Sequence, residues 1–167
     1  DDAPRLIYAD WLTEHAAPRG EPIQLQCLLK REGVGATTFN SMETDDPHPD
    51  HLALGKRESA SLKQHAKEWL SPIRKYMYQW SWQRGFLSRV TGNASVLPGL
   101  KEILSRHPVR RLELTGLKKA DIAKLAELEL GPVRILDLTQ NRFGLAELEV
   151  LLRQDLSGLE ALILAGN

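Results

Sequence analysis

Leucines recur in the second half of this 167-residue chain at a spacing that leaves little freedom of architecture. The segments VRRLELT (109–115), VRILDLTQN (133–141) and LEALILAGN (159–167) align so that Leu112, Leu136 and Leu162 form one column and Leu114, Leu138 and Leu164 another, at steps of 24 and 26 residues. Two leucines flanking one residue point to the same side of a short strand, and a period of this length predicts that such strands stack into one apolar spine. A step of 24 back from Leu114 and Thr115 lands on Val90 and Thr91. FLSRVTGN (86–93) is therefore read as a first, degenerate unit, with Ser88 where leucine is expected. Asn141 and Asn167 stand where the chain leaves its strand, and there a side-chain amide can serve the backbone of a turn. Leu117 holds that place one unit earlier, so its turn needs another partner.

Between the strands the apolar spacing is helical: Leu100, Ile103 and Leu104; Ile122, Leu125 and Leu128, ended by Gly131 and Pro132; Leu145, Leu148 and Leu152. Each trio is predicted to face inward. The pattern L-x-x-L-x-L-x-x-N resembles the leucine-rich repeat. It implies an α/β fold in which residues 83–167 form a right-handed solenoid of about four repeats, parallel strands on the concave side and helices on the convex side.

Residues 1–82 are of another composition, with all four tryptophans and 9 leucines, against no tryptophan and 20 leucines in 83–167. Leu6, Ile7, Ala9, Trp11 and Leu12 predict an amphipathic helix over about 3–15, opened by Pro4. Ile23, Leu25, Cys27, Leu28 and Leu29 predict a second, ending at Gly33 after Lys30 and Arg31. The stretch from Gly33 to Pro49 reads as a long surface loop. A third helix is predicted over about 51–70, burying Leu62, Ala66, Trp69 and Ile73 and exposing Lys56, Arg57, Lys63 and Lys67. Trp11, Trp69, Trp80 and Trp82 are expected in the core and at the joint between the halves.

This half resembles the bacterial repeat-companion domain, a helical module that precedes leucine-rich repeats. The residues that carry the resemblance are DDAPRLIYADWL (1–12), Glu14, PRGE (18–21), Ile23, Leu25 and Gln26, with WQRGF (82–86) and HPVRRL (107–112) matching the junction and first repeats. Pro22 departs from the pattern, where a bulky apolar residue is usual, and 33–49 lies outside it. The resemblance implies an α-helical cap domain over 1–82, an interaction scaffold, no catalytic residue, and further sequence on both sides. It also implies that the final strand, Leu159 to Ala165, is uncapped, so that another repeat, another molecule or self-association covers it.

Several function classes are excluded or weakened. Lys plus Arg and Asp plus Glu are both 22, and the halves carry −2 (10 basic, 12 acidic) and +2 (12 basic, 10 acidic), so no field draws the chain to nucleic acid. No run of about 18 apolar residues spans a membrane. A single cysteine, Cys27, forms no internal disulfide, reads as a buried thiol and fits a cytoplasmic setting. No Gly-rich phosphate loop, G-x-S-x-G or H-E-x-x-H occurs, so neither an enzyme nor a cofactor is expected.

The candidate site is the outer face of the strands, whose side chains lie between and beside the leucines: Arg89 and Thr91; Arg111, Glu113 and Thr115; Ile135, Asp137 and Thr139; Ala161, Ile163 and Ala165. Equal steps along the repeat align Arg89, Glu113, Asp137 and Ile163 in one ladder and Thr91, Thr115 and Thr139 in the next. A protein partner is expected there, and a solvated face bearing an Arg89–Glu113 surface pair is the plainer alternative. Other clusters are weighed against plainer readings. Asp45 and Asp46 with His48, Asp50 and His51 offer metal ligands on a loop too irregular to fix them. Arg5, Asp10, Arg19 and Glu21 read as a network joining the first two helices. Asp10, Glu14 and Glu21 are the enzyme alternative, and Arg110, Arg111 and Arg134 the nucleic-acid alternative.

Overall fold

The computed structural model describes residues 1–33, 49–71 and 73–167. The chain is a mixed α/β protein that divides into two compact units, 1–69 with 82–86, and 70–81 with 87–167. Relative to a split after residue 82, the division moves 70–81 out of the first half and 83–86 into it.

The first unit holds helices α1 (Ala3–Glu14), α2 (Gly20–Arg31) and α3 (Pro49–Trp69), with α2 packed between the other two. Pro4 sits in the first turn of α1, where its missing N–H costs nothing. Ala9, Leu12, Ile23 and Cys27 form the buried centre, and Leu62, Ala66 and Trp69 of α3 are buried as expected. Trp11 is a correction: it is 50% exposed, as are Ile7 at 71%, Leu6 and Tyr8 in part, because α1 buries only the Ala9–Leu12 side. The predicted loop lies outside the described residues.

Residues carried by the resemblance tie this unit together. The Gln26 amide donates to Glu58 of α3 at 2.5 Å and accepts the Gly85 N–H at 2.6 Å. Arg84 Nε lies 2.5 Å from Asp2 Oδ1. Arg84 and Gly85 both have positive φ, 52° and 73°, as a two-residue hairpin turn requires. A Cβ on Gly85 would stand 2.3 Å from Ile23 Cγ1, so both conformation and space demand glycine.

That turn joins β1 (Met77–Gln83) to β2 (Phe86–Asn93). β1 corrects the all-helical reading of 1–82. MYQWSWQ is an aromatic-rich run bounded by a tight turn, and aromatic side chains favour a pleated, half-buried surface over a helix. Trp80 and Trp82 on it are half-buried.

The second unit continues with α4 (Leu97–Arg106), β3 (Arg111–Thr115), α5 (Lys119–Ala126), β4 (Ile135–Asp137), α6 (Leu145–Leu151) and β5 (Ala161–Ile163). The sheet order is β1-β2-β3-β4-β5, parallel from β2 onward. Leu112, Leu136 and Leu162 are direct partners on neighbouring strands. Leu112, Leu114, Leu136 and Leu138 are fully buried, each worth about 1.5–3 kcal/mol. Backbone bonds repeat with the coil: Arg110 N–H to Ser88 O, Arg134 N–H to Arg110 O and Glu160 N–H to Arg134 O, at 2.7–2.8 Å. His107, buried before β3, accepts the Leu87 N–H on Nδ1 at 3.1 Å.

The helices follow the predicted stripes with one exception. Leu100, Ile103, Leu104, Ile122 and Leu125 are buried, but Leu145 and Leu152 are 80% and 60% exposed, and Leu151 takes the inward place. Helical spacing alone identifies a stripe without saying which way it faces. α5 also ends at Ala126, before Gly131. Asp121 and Glu147, one unit apart, each reach back to the N–H that precedes their helix, of Lys118 at 3.0 Å and Gly144 at 2.8 Å.

The turn position of the repeat is occupied by a buried amide. Asn141 Nδ2 donates to Leu114 O at 2.7 Å and Leu138 O at 2.8 Å, while its Oδ1 accepts the Leu117 N–H at 2.8 Å. Leu117, which has no amide, is thus served from the next unit. Asn167 repeats the pattern toward Leu138 O, Leu164 O, Asn141 N–H and Phe143 N–H.

Asn141→Ala removes the amide partner of Leu114 O and of the Leu117 N–H, while Leu138 O keeps Asn167 Nδ2, and it is expected to destabilise the second unit by about 2 kcal/mol or more in urea denaturation followed by circular dichroism. Asn167→Ala, at an exposed position, costs less. Gly85→Ala is expected to cost at least about 2 kcal/mol, through the first unit.

Candidate functional site

The open face of β2, β3 and β4 carries the candidate residues, and its register differs from that implied by equal steps. Arg89 pairs with Arg111, Val90 with Leu112, Thr91 with Glu113, Gly92 with Leu114 and Asn93 with Thr115, a step of 22 residues, whereas Arg111 pairs with Ile135 and Glu113 with Asp137, a step of 24. The predicted ladder Arg89–Glu113–Asp137 is therefore offset by two at its first rung. A shift of two keeps every side chain on its own face, so the leucine spine survives it. Val90 takes the place of Leu112 on the inner side. Gly92 takes that of Leu114, where Val96 fills the space, 2.7 Å from where a Cβ would stand. Ser88 falls outside the spine.

The rows across the sheet read Arg89, Arg111, Ile135, Ala161, and then Thr91, Glu113, Asp137, Ile163. Glu113 is the centre of the charged part. Its Oε2 accepts from Arg89 Nη2 and Thr91 Oγ1, both at 2.8 Å, and its Oε1 pairs with Arg111 Nε. Arg111 Nη2 stands 3.8 Å from Asp137 Oδ2, and Asp137 Oδ1 accepts the Thr139 N–H at 3.0 Å. The Glu113 side chain is 12% exposed, those of Arg89 and Arg111 39% and 38%. Burial alone raises the Glu113 carboxyl, but the hydrogen bonds from Arg89, Arg111 and Thr91 outweigh it and hold it below the usual carboxylate range. Ile135, Thr139 and Ile163 are half-buried and Thr115 is exposed. Of the eleven predicted face residues, Arg89, Thr91, Arg111, Glu113, Thr115, Ile135, Asp137, Ala161 and Ile163 stand on strands of one sheet, while Thr139 and Ala165 lie in the turns that follow β4 and β5.

In the first unit Asp10, Glu21 and Arg5 meet different partners. Asp10 accepts from Gln24 at 2.9 Å and Glu21 pairs with Arg57 at 2.7 Å. Arg5 pairs with Asp2 at 3.5 Å, and Arg19 lies over the Trp69 and Phe86 rings at 4.9 and 5.7 Å. Asp10, Glu21 and Arg5 thus each have a partner outside the expected Arg5–Asp10–Arg19–Glu21 network. Asp2, which the sequence reading did not single out, links Arg5, Lys30 and Arg84; desolvation raises its carboxyl, and those three cations bring it below its usual range. Glu14 is exposed. Arg134 donates to Gly158 O at 2.6 Å. Burial, with the Asp2 charge, pushes the Cys27 thiol up, so it is a poor nucleophile.

Among the described residues no group of three or more His, Cys, Asp or Glu is placed to hold a metal, and no helix is long and apolar enough to cross a membrane. Asp45, Asp46 and His48 lie outside the described residues. Comparison with protein-family models, curated proteins and solved structures finds no match for this chain.

Glu113→Gln leaves two adjacent guanidinium groups without their shared counter-charge and is expected to cost about 1–3 kcal/mol, a drop of several degrees in Tm. Because the folded-state carboxyl titrates below its unfolded value of about 4.3, its stabilisation is present above that pH and lost as pH falls through the folded value. Wild type should therefore lose stability more steeply than Glu113→Gln between about pH 5 and 3 in thermal melts.

Proposed function

We propose that this chain is a non-catalytic protein-interaction module of the leucine-rich repeat kind: a helical repeat-companion domain followed by a right-handed solenoid whose concave strand face grips another protein in a cytoplasmic setting. The observation that carries the reading is the sheet face. Short parallel strands bury leucines on one side and present arginines, carboxylates, threonines and isoleucines on the other, so binding residues vary without disturbing the spine. The alignment of Leu112, Leu136 and Leu162 and the amides of Asn141 and Asn167 support the repeat assignment. Against an enzyme in the helical unit stands the engagement of Asp10 and Glu21 with separate partners.

Recovery of partners from the source cell on immobilised protein tests the reading. Arg111→Glu with Asp137→Arg is expected to lose at least one partner that wild type and an off-face variant, Lys101→Glu, retain, with tenfold or greater weakening. Equal recovery by all three proteins refutes the face.

A further inference from the structure

Arg89 and Arg111 stand directly beside one another on neighbouring strands, a like-charge juxtaposition that costs stability unless an anion lies between them. Glu113 is that anion, and it is fully used: one oxygen serves Arg89 and Thr91, the other Arg111. Asp137 is a weaker second partner, because it spends one oxygen on the Thr139 N–H and holds the other 3.8 Å from Arg111. Two guanidinium groups therefore share one close carboxylate. Arg89 Nε is buried and meets no acceptor among the described residues, although its side chain as a whole reaches solvent. A planar guanidinium with donors to spare matches a carboxylate in two-point geometry.

The surroundings narrow the choice of anion. Along the same rows the charged pair gives way to Ile135 and Ala161, and to Asp137 and Ile163. A polyphosphate chain continuing past the arginines would meet Asp137 and aliphatic side chains. A single carboxylate flanked by an apolar residue meets its complement at each step, since neighbouring strands lie about 4.8 Å apart and the arginine pair is one strand from Ile135.

We infer that the sheet face receives an acidic segment of a protein partner, with an Asp or Glu carboxylate seated on Arg89 and Arg111 and a neighbouring aliphatic side chain on Ile135 and Ile163. The inference rests on the interaction-module reading and names the chemistry of its partner.

Random peptides displayed on phage, selected on the 167-residue chain at 50 mM NaCl, supply the probe. Selected peptides are expected to carry Asp or Glu beside Leu, Ile, Val or Met at several times the frequency of the unselected library. Their binding should fall tenfold or more on Arg89→Gln with Arg111→Gln, on Ile135→Ser with Ile163→Ser, when the acidic residue is changed to its amide, and at 500 mM NaCl. Peptides without acidic enrichment that still depend on Ile135 and Ile163 overturn the acidic partner and leave the interaction face standing. Peptides indifferent to every face variant overturn both. A single-stranded oligonucleotide that displaces the peptides from the same arginines at lower concentration overturns the choice of protein. Should the double glutamine variant fail to fold, the Nε–H signals of Arg89 and Arg111 in wild type decide: they shift with the acidic peptide and not with its amide counterpart, and no shift refutes the site.

Discussion

The structure of the second unit depends on how a chain that turns every few residues keeps its backbone hydrogen-bonded inside an apolar stack. Strands of three to five residues leave their ends exposed to the core, and each unpartnered group buried there costs about 1–3 kcal/mol. Asn141 resolves this with one side chain. Its amide gives two donors to carbonyls of its own and the preceding coil and one acceptor to the N–H of Leu117. An amide carries two donors and an acceptor at once, where a hydroxyl has a single donor. The leucine spine depends on that arrangement, because Leu114 and Leu138 remain in register only while the carbonyls beside them are held.

With the spine doing the packing, the outer side of each strand is released from it, and its chemistry follows from register. A two-residue offset between β2 and β3 leaves the apolar side unchanged but sets arginine against arginine where equal steps would have set arginine against glutamate. The same shift that is neutral for the core converts a plain surface pair into a three-residue arrangement around Glu113, with the Arg89 Nε–H left without an acceptor among the described residues. The charged face is in this sense a consequence of the length of one connection: β2 and β3 pair at a step of 22 residues, two fewer than β3 and β4.

How much of this could be read beforehand depended on whether one physical signal was sufficient. Leu112, Leu136 and Leu162 were readable because period and strand alternation agree, and the face residues followed from the alternation alone. β1 was hidden because a run such as MYQWSWQ has no clean apolar alternation and its turn, Arg84-Gly85, places arginine where asparagine is usual. Leu145 and Leu152 satisfied helical spacing while facing outward, since periodicity defines a stripe and only tertiary packing gives it a direction. The β2–β3 offset left no trace in the spacing of leucines, and it decides which charges meet. Asp2 went unnoticed because its three partners come from 3, 28 and 82 residues away.

The turn after each strand shows the same economy at the level of dihedral angles. Gly116, Gln140 and Gly166 occupy equivalent places, at steps of 24 and 26, and all three have φ between 59° and 69°. Glycine adopts that conformation freely, whereas a residue with a Cβ is strained there by about 1–2 kcal/mol. Glutamine persists at the middle turn because its neighbour Asn141 over-determines the geometry, and the Gln140 N–H is itself bonded to Ala165 O at 2.8 Å. Gly166 in the adjacent coil would, with a Cβ, approach Gln140 Cγ to 3.2 Å. One side chain can be accommodated in that corner because the next coil offers none, so the choice of residue at one turn is set by the residue at the following one.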